Sequence, residues 1–227
     1  MHLLTFFKAG GLFMYFILVF ALMIAFFIVE RYFALFLKYK AAPQELRQKL
    51  LEHLKCGDWK GAEQFLNYEA KNNDLGKVAL IGLKLRKSGG GEEEIQARMD
   101  EALSLEISKI DKRTGFLAMF GNVSTLLGLL GTVSGMIISF ASVAQASPAE
   151  RAMILGQGIS EALNATAFGL IGAIPALVAF SVFQNRTDKI VTDLTQRTSQ
   201  IYHDFVFYTE SDPRLVEEKT RPTQVSV

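Results

Sequence analysis

Thr125, Thr132, Ser134, Ser139 and Thr166 place five hydroxyls inside two long, uncharged apolar stretches, and Glu161 sets a carboxylate at the rim of one of them. A hydroxyl donates and accepts hydrogen bonds but cannot hold a transported proton near neutral pH, whereas a carboxylate can. One buried threonine in an apolar helix is uninformative, because it ordinarily bonds back to its own helix carbonyl. Five hydroxyls together exceed what packing asks for and suggest a face that meets water or a polar partner. Glu161 reads in two ways. It is either a helix-start carboxylate favoured by the helix dipole or an ion-path group, since ionisable residues in membranes are costly and mark function. Pro175 removes one backbone donor and kinks the helix, freeing a carbonyl near Ile171 for water or a partner. Deep in these stretches there is no Asp, Glu, His or Lys. If protons cross here, the titrating group comes from another chain.

The elements that carry these groups are unusual helices. Gly121, Thr125, Gly128, Thr132, Gly135, Ser139 and Ser142 recur at alternating spacings of four and three, as do Gly158, Ala162, Ala165, Gly169, Gly172, Ala176 and Ala179. Each set is one continuous helical face of small or hydroxylated residues. Glycine costs about 1 kcal/mol against alanine in a helix interior, so such a face gives up local stability for close approach of backbones. Membrane helices associate in this way, without a hydrophobic drive between them. Gly131-x-x-x-Gly135 is a local instance of the same device.

The class follows from where the apolar residues lie. Half of the 227 residues are hydrophobic, the mean hydropathy is +0.23 and the formal charge is +1. Residues 11–29, 116–144 and 162–183 are each close to or beyond the roughly 20 apolar residues a bilayer crossing needs, and they carry no charge. The chain is read as an all-α integral membrane protein with three spans. The first run is too long for a signal peptide and is followed by Glu30-Arg31-Tyr32 rather than small residues, so it is read as an uncleaved span. The near-neutral balance offers no basic patch for nucleic acid. Cys56 is alone, and His2, His53 and His203 are scattered, so no disulfide, metal set or cofactor is expected.

Basic residues orient the spans. Arg31, Lys38, Lys40, Arg47 and Lys49 follow the first; Arg98, Lys109, Lys112 and Arg113 precede the second; Arg186, Lys189 and Arg197 follow the third. Only Lys8 and Arg151 flank the opposite ends. Residues 1–10 are therefore expected to be a short periplasmic terminus and 30–115 a cytoplasmic helical domain. Residues 145–161 should form a periplasmic loop with the start of the third helix, 184–210 a cytoplasmic helix, and 211–227 a disordered tail. Within 30–115, residues 44–55, the stretch after Asp58, 75–87 and 92 onward read as helices. The last is expected to run unbroken from 92 to 145, so that the second and third span helices both extend into the cytoplasm. Gly156-Gln157-Gly158 and Gly89–Gly91 lack the strand, the Lys-Ser/Thr and the acidic partner of a nucleotide loop.

"LLGLLGTVSGMIISF" (126–140) and "GISEALNATAFGLIGAIPALVAFSVF" (158–183) closely resemble the two signature spans of the MotA/TolQ/ExbB proton-channel family, nearer its ExbB/TolQ branch. Ser134 replaces the Trp that follows Gly-Thr-Val in enterobacterial members, and Asn164 replaces an aliphatic residue. The resemblance implies an inner-membrane homopentamer around a single-span ExbD/TolR-like partner whose membrane Asp titrates, with a TonB/TolA-like protein beyond it. It implies that Thr132 and Thr166 line the proton path and that Glu161 stands on its outer approach. Packing through Gly121, Gly128, Gly131, Gly135, Gly169 and Gly172 is expected from the small-residue faces themselves. The activity implied is conversion of proton-motive force into mechanical work for TonB-dependent transport or envelope maintenance. Two readings compete with it: a non-conducting oligomeric scaffold and a gliding or flagellar-type stator subunit. An enzyme reading finds no nucleophile, base or metal set in a common pocket.

Overall fold

A computed structural model describes residues 11–38 and 44–210, and among them every regular element is a helix. The order is α1 (Gly11–Phe33), a π-helical turn (Ala34–Lys38), α2 (Gln44–Lys55), α3 (Trp59–Asn72), α4 (Asp74–Lys87), α5 (Glu92–Asp111), α6 (Thr114–Gln145) and α7 (Arg151–Glu210). Phe13–Leu37, Glu92–Gln145 and Arg151–Tyr208 are each long and apolar enough to cross a membrane. The expected terminus 1–10 and tail 211–227 lie outside the described residues. The described residues form two compact units, one of 11–38 with 112–186 and one of 44–111 with 187–210.

The first unit is a bundle of α1, α6 and residues 151–186 of α7. Ile24, Phe120 and Ala176 form its buried cluster, with Phe20, Phe27 and Ile28 packed around it. The Phe27 ring lies 5.4 Å from that of Phe120 and 5.8 Å from that of Phe116. These aromatic contacts dock α1 on α6. Phe26, Leu126, Ile137, Ile174 and Val178 point outward and are exposed, which demands an apolar surrounding rather than water. The third long helix, α7, begins at Arg151, so residues 145–161 hold both the connection from α6 and the first turns of α7.

The expected unbroken helix over 92–145 is interrupted. The chain leaves helical geometry at Lys112–Arg113, where Arg113 has φ 74°. A non-glycine residue in that left-handed region costs roughly 1–2 kcal/mol. The break is held by the end of α1. Buried Arg31 donates to the Lys112 carbonyl, and Glu30 Oε1 accepts from Arg31 Nη2 and Arg113 Nη1, each at 3.2 Å.

The second unit packs α2 to α5 with residues 187–210. Leu46, Leu50 and Leu54 of α2 repeat every four residues, as do Ile95, Met99 and Leu103 of α5. With Val78, Leu83, Ile201 and Phe205 they make a conventional buried core. Local chemistry sets the ends. Gly57 takes φ 65° after α2, and Asp58 caps α3 by accepting from the Gly61 N–H at 2.9 Å. Asn73 closes α3 and caps α4, its Oδ1 accepting from the Leu75 N–H at 2.9 Å. Arg47 grips Asp204 through two bonds, at 2.8 and 3.0 Å. That carboxylate bond holds the Arg47 guanidinium above its ordinary pKa despite partial burial.

Candidate functional site: the seam between α6 and α7

The seam is built on missing side chains. A Cβ on Gly128 would lie 3.2 Å from the Thr166 Cα and 3.3 Å from the Ala165 carbonyl oxygen. One on Gly169 would come within 2.7 Å of the Ser124 carbonyl oxygen, and backbone cannot yield there. Gly131 faces the Ala165 methyl, Gly135 that of Ala162, and Gly121 that of Ala176, at 2.8, 3.0 and 3.2 Å from an added Cβ. Gly172 abuts the Ser124 hydroxyl at 3.1 Å from an added Cβ. The two small-residue faces thus meet each other within one chain.

The close approach brings Thr132 and Thr166 together. Their hydroxyls are directly hydrogen-bonded. The Thr166 hydroxyl reaches the Gly128 carbonyl oxygen at 3.0 Å, and the Thr132 hydroxyl reaches the same oxygen at 3.1 Å and that of Ala162 at 3.4 Å. Each hydroxyl has one proton, so one threonine donates to Gly128 while the other donates to its partner hydroxyl. Exchanging the roles reverses the direction of the hydrogen bonds without creating a charge. A proton handed to one hydroxyl is balanced only when the other gives its own to an acceptor beyond the pair, which the Gly128 carbonyl cannot be. With such an acceptor the pair can relay a proton but cannot store one.

The other hydroxyls divide by their partners. Thr125 and Ser142 bond back to Gly121 and Ile138 of their own helix, at 3.2 and 2.9 Å, as isolated hydroxyls do. Ser139 is buried against Gly158, and its Oγ has no hydrogen-bond partner among the described residues. Ser134 and Glu161 are half-buried, Glu161 lying one turn along α7 from Gly158. Pro175 sits exposed within α7, which continues helical on both sides of it.

One residue was invisible to the stripe read from sequence. Ser124 is fully buried, and its hydroxyl crosses the seam to the Gly169 carbonyl oxygen at 3.0 Å. The buried face of α6 runs through Leu117, Gly121, Ser124, Gly128, Gly131 and Ser139. The sequence stripe instead passes through Thr125 and Thr132, which are half-buried at its edge, and through Ser142, which is exposed. The face is turned because α6 is packed by α1 as well as by α7. A signal was available: the 121, 124, 128, 131, 135 spacing places Ser124 among four glycines.

Among the described residues no group of three or more His, Cys, Asp or Glu side chains could hold a metal ion. A cavity of about 420 Å³ in the second unit is lined by Arg47, Gln48, Asp193, Gln196, Arg197 and others. Its two arginines are already paired with Asp204 and Asp193.

Comparison with known proteins agrees with the motif reading. The model of the MotA/TolQ/ExbB proton channel family matches residues 70–196. Biopolymer transport protein ExbB of Pseudomonas putida is 30% identical over 165 residues, covering 70% of this chain and 50% of that protein. Tol-Pal system protein TolQ of Pseudomonas aeruginosa is 39% identical over 99 residues, 44% of this chain and 42% of that one. ExbB of Salmonella typhimurium is 32% identical over 123 residues, 52% of this chain and 50% of its own. The chain spans about half the length of the curated relatives it matches. Among solved structures, C. jejuni MotAB aligns with a TM-score of 0.56 at 20% identity, covering 90% of this chain and 78% of that one. That likeness carries the fold.

Proposed function

Because this chain belongs to the MotA/TolQ/ExbB proton channel family, on its ExbB/TolQ side, we propose that it is the channel-forming subunit of an inner-membrane complex that turns proton-motive force into mechanical work. In this reading five copies surround a single-span ExbD/TolR-like partner, and a TonB/TolA-like protein carries the work onward. Residues 30–115 and 184–210 lie in the cytoplasm, and the amino terminus and the 145–161 segment face the periplasm. Thr132 and Thr166 line the path, and Glu161 stands on its outer approach.

The observation that carries the proposal is the Thr132–Thr166 pair closed on the Gly128 carbonyl. It is a proton relay in an apolar bundle, and the segments 116–144 and 162–183 hold no titratable side chain to feed it. A relay of this kind needs a carboxylate brought to it, and a single-span partner with a membrane Asp meets that requirement. The same arrangement keeps the chain proton-tight when the partner is missing, which protects the membrane potential.

Reconstitution in liposomes tests this. The chain alone should pass few protons. Flux should appear on adding a single-span partner that carries a membrane Asp and vanish when that Asp becomes Asn. Glu161→Gln should weaken the coupled flux and leave the oligomer intact. Strong conductance by the isolated chain would refute the borrowed carboxylate, and absence of flux with the partner would leave a scaffold.

A further inference from the structure

We propose that Ser124 is a positioning residue for the Thr132–Thr166 pair: its buried hydroxyl, bonded across the seam to the Gly169 carbonyl oxygen, fixes how far α6 can slide along α7. Ser124 does not touch the pair. It acts through the register of the two helices.

The need for such a device follows from the seam itself. A face of glycine and alanine lets backbones approach, and the seating of Ala162, Ala165 and Ala176 against glycines sets a coarse register, but between membrane helices no hydrophobic gradient refines it. A hydroxyl relay is intolerant of sliding, because hydrogen bonds weaken over a few tenths of an ångström and with misdirection. Something directional must therefore set the register. Two bonds of opposite sense do so here. Ser124 of α6 donates to the Gly169 oxygen of α7 at 3.0 Å, and Thr166 of α7 donates to the Gly128 oxygen of α6 at 3.0 Å. On α6 the donor and acceptor residues are four apart, on α7 three apart, so the two bonds brace adjacent turns. Gly169 stands at the centre of this brace, with an added Cβ only 2.7 Å from the Ser124 carbonyl oxygen and 3.1 Å from the Gly128 Cα. Thr166 belongs to both the brace and the relay. Ser124, fully buried, belongs to the brace alone.

The part played in conduction rests on the function proposed above, whereas the register does not, and the test separates them. The full chain is prepared with Cys56→Ser and two cysteines at exposed positions beside the seam, Ile138→Cys on α6 and Leu163→Cys on α7, which leave the seam glycines unsubstituted. Cross-linking of this pair with a short bis-maleimide in membranes reads the register, and coupled proton flux with the partner, in the chain without the reporter cysteines, reads the relay. Ser124→Ala removes the hydroxyl without adding bulk, and native mass spectrometry checks that the oligomer persists. Cross-linking should slow, and coupled flux should fall about three- to tenfold, the range expected for losing one interhelical hydrogen bond in a bilayer. In a Thr166→Val background the same substitution should cause no further loss, since a residue acting only through the pair has nothing left to position. Unchanged cross-linking would overturn the proposal, whatever happens to flux. A loss of flux that adds to that of Thr166→Val would also overturn it, showing that Ser124 acts independently. If the unsubstituted complex shows no flux, the proposed function fails, and the cross-linking result still decides the register.

Discussion

The two units of this chain are held together by opposite means. In the bundle of α1, α6 and α7, the α6–α7 contact is made by the absence of side chains at Gly128, Gly131, Gly135 and Gly169 and by hydroxyls bonded to carbonyls of the facing helix. In the other unit, Leu50, Leu66, Leu83, Met99 and Phe205 fill a core, and ion pairs such as Arg47–Asp204 and Lys77–Glu106 tie its helices. The difference is one of solvent. Burying a leucine beside water contributes about 1.5–3 kcal/mol, so bulk is the economical glue there. Between helices surrounded by lipid that gain is lost, and close backbone contact with interhelical hydrogen bonds takes over. A face built for close contact is also where a relay of hydroxyls can be held in register.

The contrast should break first at the seam. Gly128→Leu or Gly169→Leu would force the helices apart, at a cost of roughly 3 kcal/mol or more, and native mass spectrometry should show loss of the folded oligomer. A stable wild-type monomer in the same measurement would instead deny any role of these faces in assembly.

A smaller step sharpens the comparison. An alanine at Gly169 meets backbone at 2.7 Å, whereas an alanine at Gly82 in the other unit meets the Met99 sulfur at 2.5 Å. The thioether is flexible and can rotate away, and alanine is better than glycine in a helix by about 1 kcal/mol. Thermal unfolding should therefore find Gly169→Ala clearly destabilising, by about 1–3 kcal/mol, and Gly82→Ala within about 1 kcal/mol of the parent. Equal losses would mean that the two units share one packing rule.

The smallest effect is one of pH. Asp58 is held below the ordinary carboxylate value chiefly by the Gly61 N–H, and Glu63 chiefly by its hydrogen bond to Lys87. A depressed carboxylate contributes stability above its unfolded value, here 3.8 and 4.5, and loses it as pH falls through the lower folded value. Amide exchange in the first turns of α3, corrected for its intrinsic pH dependence, should rise below about pH 4. The stretch from Gly121 to Thr132 has no titratable side chain and should stay flat over the same range.

Much of this was legible in the sequence because it depends on composition and period alone. The three apolar stretches, the paired small-residue faces and the helices of 44–55, after Asp58 and of 75–87 follow from local rules. Two features did not, and both are set by distant residues. Lys112–Arg113 contains neither glycine nor proline, and the helix breaks there with the Lys112 carbonyl and the Arg113 side chain held from the end of α1 by Arg31 and Glu30. Ser124 lies off the stripe because spacing along a single helix takes no account of a second neighbour, whereas α1 and α7 together turn the buried face. The pairing of Thr132 with Thr166 likewise could not come from spacing within either helix, since it depends on their relative register.

The central claim is that this chain supplies the relay and borrows the proton-holding group. The most direct measurement is proton flux through liposomes containing the partner complex with Thr132→Val and Thr166→Val together, at matched abundance and assembly. Valine keeps the shape of threonine and removes the hydroxyl. The account expects coupled flux to fall at least about tenfold, at the lower end of what one positioned proton-transfer group contributes, while the oligomer persists. Flux equal to that of the unsubstituted complex would contradict it and leave the two threonines as packing residues.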